Sequence, residues 1–532
     1  MSSSAHRLLL SIALLFLLPA SAFAVPPQPA SLFSDHMVIQ RDAAVPVWGT
    51  AEPAGEVTVR FSGQSVTTNA GNDGTWKLSL KPLKASATPA ELTIAGGGKT
   101  VTIKNVLVGD VWIGSGQSNM AGRAASYAKR DETLDALVKH GSFPTIRMMD
   151  GGPKPTWIET TSTTIPRASA LLFPFGERLQ RELDVPIGLI LGAVGGTPSG
   201  YWIPNETFTA SDKCKASIAE FSRTFDPTRT RKQYEAKLAA WETAVAKAKA
   251  EGKKPRGRKP TPAVGPGGSL RGGKIGGLFD RYIRSAVGYR IKGVLWDQGE
   301  ARSGVQGVDQ YVMMSELIRG WRELWDQGDF PFLFVQKPSG GGTAFTNENP
   351  ITRNGEQFTA LPQAANLTAM SGEQRFLYVR LMRDTPNAFM VPASDLGATI
   401  HPTNKWGYGN RAAEVALSEV YKTGTQAYGP MYRSHKVDGN KVIVSFNQIG
   451  KGLAVAHSDT LQGFAVAGKD GAWQWADAKI DGETVIVWSD KVSSPTHVRY
   501  AFAANRRWAN LFNKDGLPAT VFSTPYPIPD SK

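Results

Sequence analysis

Cysteine is almost absent from this chain of 532 residues, where Cys214 stands alone. No intrachain disulfide can form and no thiolate metal cluster is available, so stability has to come from packing. Histidine is scarce too, at seven residues, and no H-E-x-x-H or comparable ligand spacing occurs. The sequence therefore implies no catalytic metal, and no cofactor is expected. Long apolar runs are confined to the beginning. Met1 to Arg7 precede an apolar stretch from Leu8 to Leu18 and then Ala22-Phe23-Ala24, the pattern of a cleaved secretory signal over residues 1–24 with the mature chain starting near Val25. That run falls short of the roughly 20 apolar residues that span a bilayer, and no later run is longer. A secreted or periplasmic protein without a membrane span is expected.

Charge of one sign is in excess, and the excess is local. The formal net charge is +14, but residues 211–275 hold 16 Lys and Arg against 6 Asp and Glu. A basic protein invites a nucleic-acid reading through phosphate attraction. Basicity concentrated in one segment is expected instead to be a solvated charged face, and no nucleic-acid partner is expected.

The length suggests about three domains. Residues 25–105 show short alternating runs such as Val57-Thr-Val-Arg-Phe61 and Trp76-Lys-Leu-Ser-Leu80 between Gly, Asn and Asp turns, which predicts a small β-module. The period then changes. Val106 to Ile113, Val185 to Leu191, Ile291 to Trp296 and Phe330 to Val335 are nearly continuous apolar strands. Helical stretches alternate with them, Phe175 to Leu183 and Tyr311 to Trp325, with a last helix over Gly407 to Tyr421. Buried strands alternating with helices predict an α/β domain with a parallel sheet over residues 106–425. A basic insertion at about 211–270 interrupts it, with an exposed helix over Gln233 to Ala250 and a loop over Gly252 to Pro260. Residues 426–532 return to β patterning, with Asp-Gly turns, as a second β-module.

Gly114-Ser-Gly116-Gln117-Ser118-Asn119-Met120 closes the first α/β strand. Ligands of open α/β sheets bind beyond the carboxyl ends of the strands, where a tight turn exposes a side chain and the next helix offers backbone N–H groups. Ser118 is thereby a candidate nucleophile, although Met120 stands where the G-x-S-x-G elbow has its second glycine. A serine needs a base. Of the seven histidines, His401 lies in a Gly- and Pro-bearing loop, Asp395-Leu-Gly-Ala-Thr-Ile-His401-Pro402, just before the final α/β helix, and is the natural partner. Two more turns come after strands of the same sheet, Gly195-Gly196-Thr197-Pro198 and Asp297-Gln298-Gly299-Glu300. An acyl-transfer intermediate needs donors set in advance, and Gly196 N–H and the Gln298 amide suit that need. Gln117, Asn119 and Glu300, on these same turns, join them as oxyanion or substrate-binding candidates.

With these residues in place, the chain resembles the sialate O-acetylesterase family, within the broader SGNH-type hydrolases. The resemblance runs over nearly all of the mature chain: Ala44-Val-Pro-Val-Trp-Gly-Thr-Ala-Glu-Pro53, Gly116 to Met120, Gly195 to Pro198 with Trp202, Gly293 to Glu300, Gly328 to Phe332, Ile400 to Lys405 and Asn510 to Pro518 occur in the expected order. It implies a three-layer α/β/α hydrolase domain flanked by β-modules, acting on acetyl esters of sialic acids or other glycans. Ser118 and His401 match the family's nucleophile and base positions, and Gly196 and Gln298 its oxyanion positions. Three features depart from the pattern. Ala398 stands where many SGNH enzymes place an Asp, leaving Asp395 as the nearest acidic candidate for a third triad member, or a backbone carbonyl in its stead. Asp297-Gln-Gly-Glu-Ala-Arg302 replaces a commoner aromatic-Gln-Gly-Glu-Ser-Asn. The basic insertion is extra, and suggests an acidic glycan as substrate. Two other readings stay open: a carbohydrate-binding protein on a hydrolase scaffold, and a hydrolase of another sugar ester such as a sulfate.

Overall fold

Strict alternation of buried and exposed residues builds the N-terminal sheets. Glu56–Phe61 and Thr75–Leu80 each turn every second side chain inward. In the computed structural model, which describes residues 26–255, 257, 259–363, 369–398 and 400–524, Val45–Thr50 pairs with Thr75–Leu80, and Glu56–Phe61 pairs with Gln64–Asn69 and Ser86–Gly96. The expected signal segment lies outside the described residues.

One strand, Lys99–Gly116, links the N-terminal sheets to the centre of the molecule. Its first half pairs antiparallel with Ser86–Gly96. From Val106 onward every residue is buried, as a strand covered on both faces requires. It then pairs in parallel with Ile187–Ala193 on one side and Gly293–Asp297 on the other. The strand runs unbroken through residues 105 and 106, so the N-terminal and central sheets share backbone.

The central sheet has the order Trp157–Thr161, Ser142–Asp150, Ile187–Ala193, Lys99–Gly116, Gly293–Asp297, Phe332–Val335, Ala388–Val391, parallel except for its first strand. Successive side chains enter two different cores. Trp112, Leu189, Leu295 and Leu333 pack with the helices Leu172–Leu183 and Lys405–Glu419. Ile113, Ile190, Val294 and Phe332 pack with Met313, Met314 and Trp321 of the helix Gln310–Trp325. Helices therefore cover both faces of a mixed α/β fold, and the last helix begins two residues earlier than its apolar pattern suggested because Asn404 caps it by accepting from Gly407 N.

The insertion carries two helices. Asp212–Thr224 is anchored by the buried Cys214, and Pro227–Ala250 buries no residue at all. The second starts earlier than expected, because Asp226 accepts from Arg229 N and Pro227 occupies the first helical position. Residues 431–523 form two four-stranded sheets and a two-stranded ribbon. Arg375 fixes them to the central unit by donating to the carbonyls of Gly340 and Ala504.

Asp110, fully buried, marks where the long strand enters the central sheet. It accepts from Arg41 at 3.0 and 2.9 Å, from Gln40 Nε2 at 2.9 Å and from Tyr421 OH at 3.0 Å. It thus ties the N-terminal segment to the end of the last helix. Replacing one member of a buried, hydrogen-bonded ion pair strands the other, at a cost of about 3 kcal/mol. Asp110→Ala should lose about that much stability in urea unfolding, whereas Lys84→Ala, which removes an exposed pair with Asp42, should change it little.

Candidate active site

Register assembles the site. Gly116 is the Cα partner of both Ala193 and Asp297, so three parallel strands end at one level. The turns leaving them, 117–118, 194–197 and 298–300, lie side by side. Gln117 N donates to Asp297 O at 2.8 Å and Val194 N to Gly116 O at 3.1 Å, which locks the nucleophile turn to both neighbours. Gly116 is required on two counts: its φ is +126°, and a Cβ would sit 2.2 Å from the Asp297 carbonyl oxygen. Ser118 then opens the short helix Ser118–Ala121.

Ser118 Oγ and His401 Nε2 are 2.7 Å apart, with the imidazole open to solvent. A serine within hydrogen-bond reach of an imidazole is the arrangement that general-base activation demands. Burial, and after it the charge of Lys405, push the His401 pKa below its ordinary 6.5, against the opposing pull of Glu300 and Asp297. The imidazole is therefore neutral, and able to accept a proton, at pH 7. Gly195 lies against Ser118, where a Cβ would meet the serine Cβ at 3.7 Å. Among the described residues, neither Ser118 N–H nor Gly196 N–H finds an acceptor.

Other expected site residues have different work. Gln298 is fully buried, and its amide N–H groups go to Thr197 O at 3.3 Å and Arg302 O at 3.1 Å. Its Oε1 accepts from Ser199 and Gln310. The side chain is thus a strut between the 194–197 and 298–302 turns, below the site, and its donors are already committed rather than turned to an oxyanion. Asp395, expected as the third triad member, gives both carboxylate oxygens to Arg411 at 3.0 Å each, a bidentate pair that holds the loop to the last helix. Gln117 Nε2 donates to Glu300, whose other oxygen faces Lys337 at 3.2 Å. Asn119 Nδ2 donates to Ile400 O at 2.9 Å, joining the nucleophile turn to the His401 loop.

Beneath them lies a charge cluster that sequence reading did not assign. Lys337, fully buried, pairs with Asp297 at 2.7 Å, and Tyr408 OH donates to Asp297 Oδ2 at 2.7 Å. Burial opposes the Lys337 charge, but Asp297 and Glu300 outweigh it and its pKa lies well above the ordinary value. Asp297 and Lys405 stood inside the sequence motifs, whereas Lys337 comes after a plain apolar strand and carried no signal. Arg271, at the end of the insertion, donates to Gly196 O at 3.0 Å.

The lowered His401 value is directly measurable. In an NMR titration of the imidazole resonances the His401 midpoint should fall below 6.5, and in Lys405→Met it should move up, because a neighbouring cation is gone.

Comparisons with known proteins bear on this geometry. Residues 108–250 match the family model described as carbohydrate esterase, sialic acid-specific acetylesterase. The chain is 26% identical over 342 residues to sialate O-acetylesterase of Rattus norvegicus and 26% over 345 residues to that of Homo sapiens. Each match takes in 58% of this chain, and it spans 60% and 57% of those relatives. A solved carbohydrate acetylesterase from Xanthomonas citri superposes with a TM-score of 0.71 at 25% identity, covering 94% of this chain and all of that one. The chain is thus similar to sialate O-acetylesterases over somewhat more than half of its length and theirs, and its residues 108–250 match the carbohydrate-esterase family model of the sialic acid-specific acetylesterases.

Proposed function

We propose that the protein is a secreted serine esterase of the SGNH type, with a three-layer α/β/α catalytic unit between β-modules, that removes O-acetyl groups from carbohydrates. The observation that carries this reading is the 2.7 Å contact between Ser118 Oγ and His401 Nε2 at the end of the central strand, joined to the likeness to carbohydrate acetylesterases. Secretion is supported by the N-terminal signal pattern.

In this mechanism His401 Nε2 takes the Ser118 proton as Oγ attacks the acetyl carbonyl. The two backbone N–H groups without acceptors, of Ser118 and Gly196, receive the oxyanion. As the tetrahedral intermediate collapses, His401 returns the proton to the departing sugar oxygen. A water, deprotonated by the same imidazole, then releases acetate and restores Ser118. A cavity of about 610 Å³ opens beside the 301–305 segment. Ser118 and His401 do not line it, but Arg271, which holds the Gly196 carbonyl, does, together with Arg302, Arg380, Tyr311 and Leu377. Its lining mixes these arginines with Asp309, Glu373 and apolar surface, the polar and apolar make-up that suits a glycan.

Wild-type protein should release acetate from acetylated sialic acid, acetylated xylan or an aryl acetate. Ser118→Ala should reduce turnover by about four orders of magnitude or more, as loss of a triad nucleophile does. Unchanged turnover in Ser118→Ala would reject the serine mechanism. Release from none of the substrates by wild type would favour a binding protein on the same scaffold, and release of sulfate would favour a different ester.

A further inference from the structure

Lys405 is an expensive residue to keep where it stands. It is fully buried, and it opens the helix Lys405–Glu419, where the helix dipole repels a cation. Among the described residues no ion pair relieves it. The carboxylates of Asp297 and Glu300 are engaged by Lys337, and Asp131 accepts from Leu134 N and Trp406 N. Burial brings the Lys405 pKa down to about 7. Among the described residues its Nζ has one polar partner, Asn119 Oδ1 at 2.5 Å, and it lies over the rings of Tyr127 at 4.7 Å and Tyr408 at 5.1 Å.

That one partner is the residue after Ser118. The other end of the same amide donates to the carbonyl of Ile400, the residue before His401, at 2.9 Å. Asn119 thus has one orientation that serves both contacts, with oxygen to the ammonium and nitrogen to the carbonyl. A flipped amide would set its NH2 against Nζ and its oxygen against a carbonyl oxygen, both repulsive. Buried Ser339 Oγ donates to the same carbonyl at 3.4 Å.

We propose that Lys405 is a positioning residue for the Ser118–His401 pair: by fixing the Asn119 amide it sets the bond from Asn119 to Ile400 O, and with it the seat of His401 on Ser118. This rests on the serine-esterase reading and deepens it. Lys405 touches neither Oγ nor the imidazole. Its charge has a second effect at a distance, since it opposes the protonated imidazole; the other charges that act on His401 are Lys337, Glu300 and Asp297.

The test uses full-length protein, an aryl acetate, and the variants Lys405→Met and Lys405→Gln, each checked for folding by circular dichroism and thermal melting. Ser118→Ala is the control. If it retains wild-type turnover, the serine reading itself has failed, and that outcome is separate from those of the Lys405 variants. Lys405→Met should lower kcat by about 100-fold, the scale of a misplacement near 1 Å, with KM within about twofold, and shift the acid limb of the kcat/KM profile to higher pH. Lys405→Gln, which keeps a donor for Asn119 Oδ1 without the charge, should recover about tenfold of kcat while leaving the acid limb shifted. If Lys405→Met does not fold, the Gln variant carries the test alone: kcat within about tenfold of wild type with a shifted limb supports the role. A folded Lys405→Met with kcat within about threefold of wild type, or a Gln variant with an unmoved acid limb, would overturn it and leave Lys405 as packing.

Discussion

The level at which three parallel strands stop is the constraint on which the rest of the molecule depends. Gly116 faces Ala193 on one side and Asp297 on the other, and the backbone bond from Gln117 N to Asp297 O at 2.8 Å carries the pairing with Gly293–Asp297 past the end of the strand into the nucleophile turn. Because each strand ends there, each delivers its turn to the same place: the hydroxyl and N–H of Ser118 from one, the N–H of Gly196 from another, the carboxylates of Asp297 and Glu300 from the third. Sterics enforce the arrangement, since only glycine can occupy position 116 so close to the Asp297 carbonyl. His401 arrives from elsewhere in the chain, and its loop is tied down through Asn119.

A second theme is the amount of charge buried under an open site. Lys337, Asp297 and Lys405 are all fully buried, with Tyr408 between them. Desolvating such groups costs several kcal/mol each, and close pairing returns only part of that. A packed apolar floor would be more stable. What the charged floor provides is direction: the bonds that Asp297 accepts from Lys337 and Tyr408 hold in one geometry and fix the 298–300 turn above them. Burial is the first cause of the lowered His401 pKa, and the same arrangement adds to it through the charge of Lys405, against the opposing pull of Glu300 and Asp297. Stability and chemistry are coupled here through the same few groups.

Much of this was legible in the sequence, and the parts that were not share a cause. The apolar strands ending at Gly116, Ala193 and Asp297 announce themselves by continuous hydrophobic runs, and Ser118 and His401 by their place in turns after strands or before a helix. Strand Ser142–Asp150 was missed because Pro144 and Arg147 break its apolar run; the arginine is buried there and bonds to Asn105 at 3.1 Å. Ala388–Val391 is only four residues long. Gln298 and Asp395 were assigned to the site by proximity in sequence, yet a side chain on a strand end can turn up toward a ligand or down into the protein. That choice depends on partners remote in sequence, Ser199 and Gln310 for one and Arg411 for the other. Lys337 and Lys405 show the same limit, since nothing in a linear pattern marks a buried lysine.

The most direct test of the central claim is to label the protein with a fluorophosphonate, which reacts with serines activated by a neighbouring base, and to map the adduct by peptide mass spectrometry across pH. The account predicts one modified peptide, carrying Ser118, with labelling that fails as pH falls through the lowered His401 pKa and is absent in His401→Ala. A stable adduct on another serine, or labelling of Ser118 that persists unchanged without His401, would contradict it.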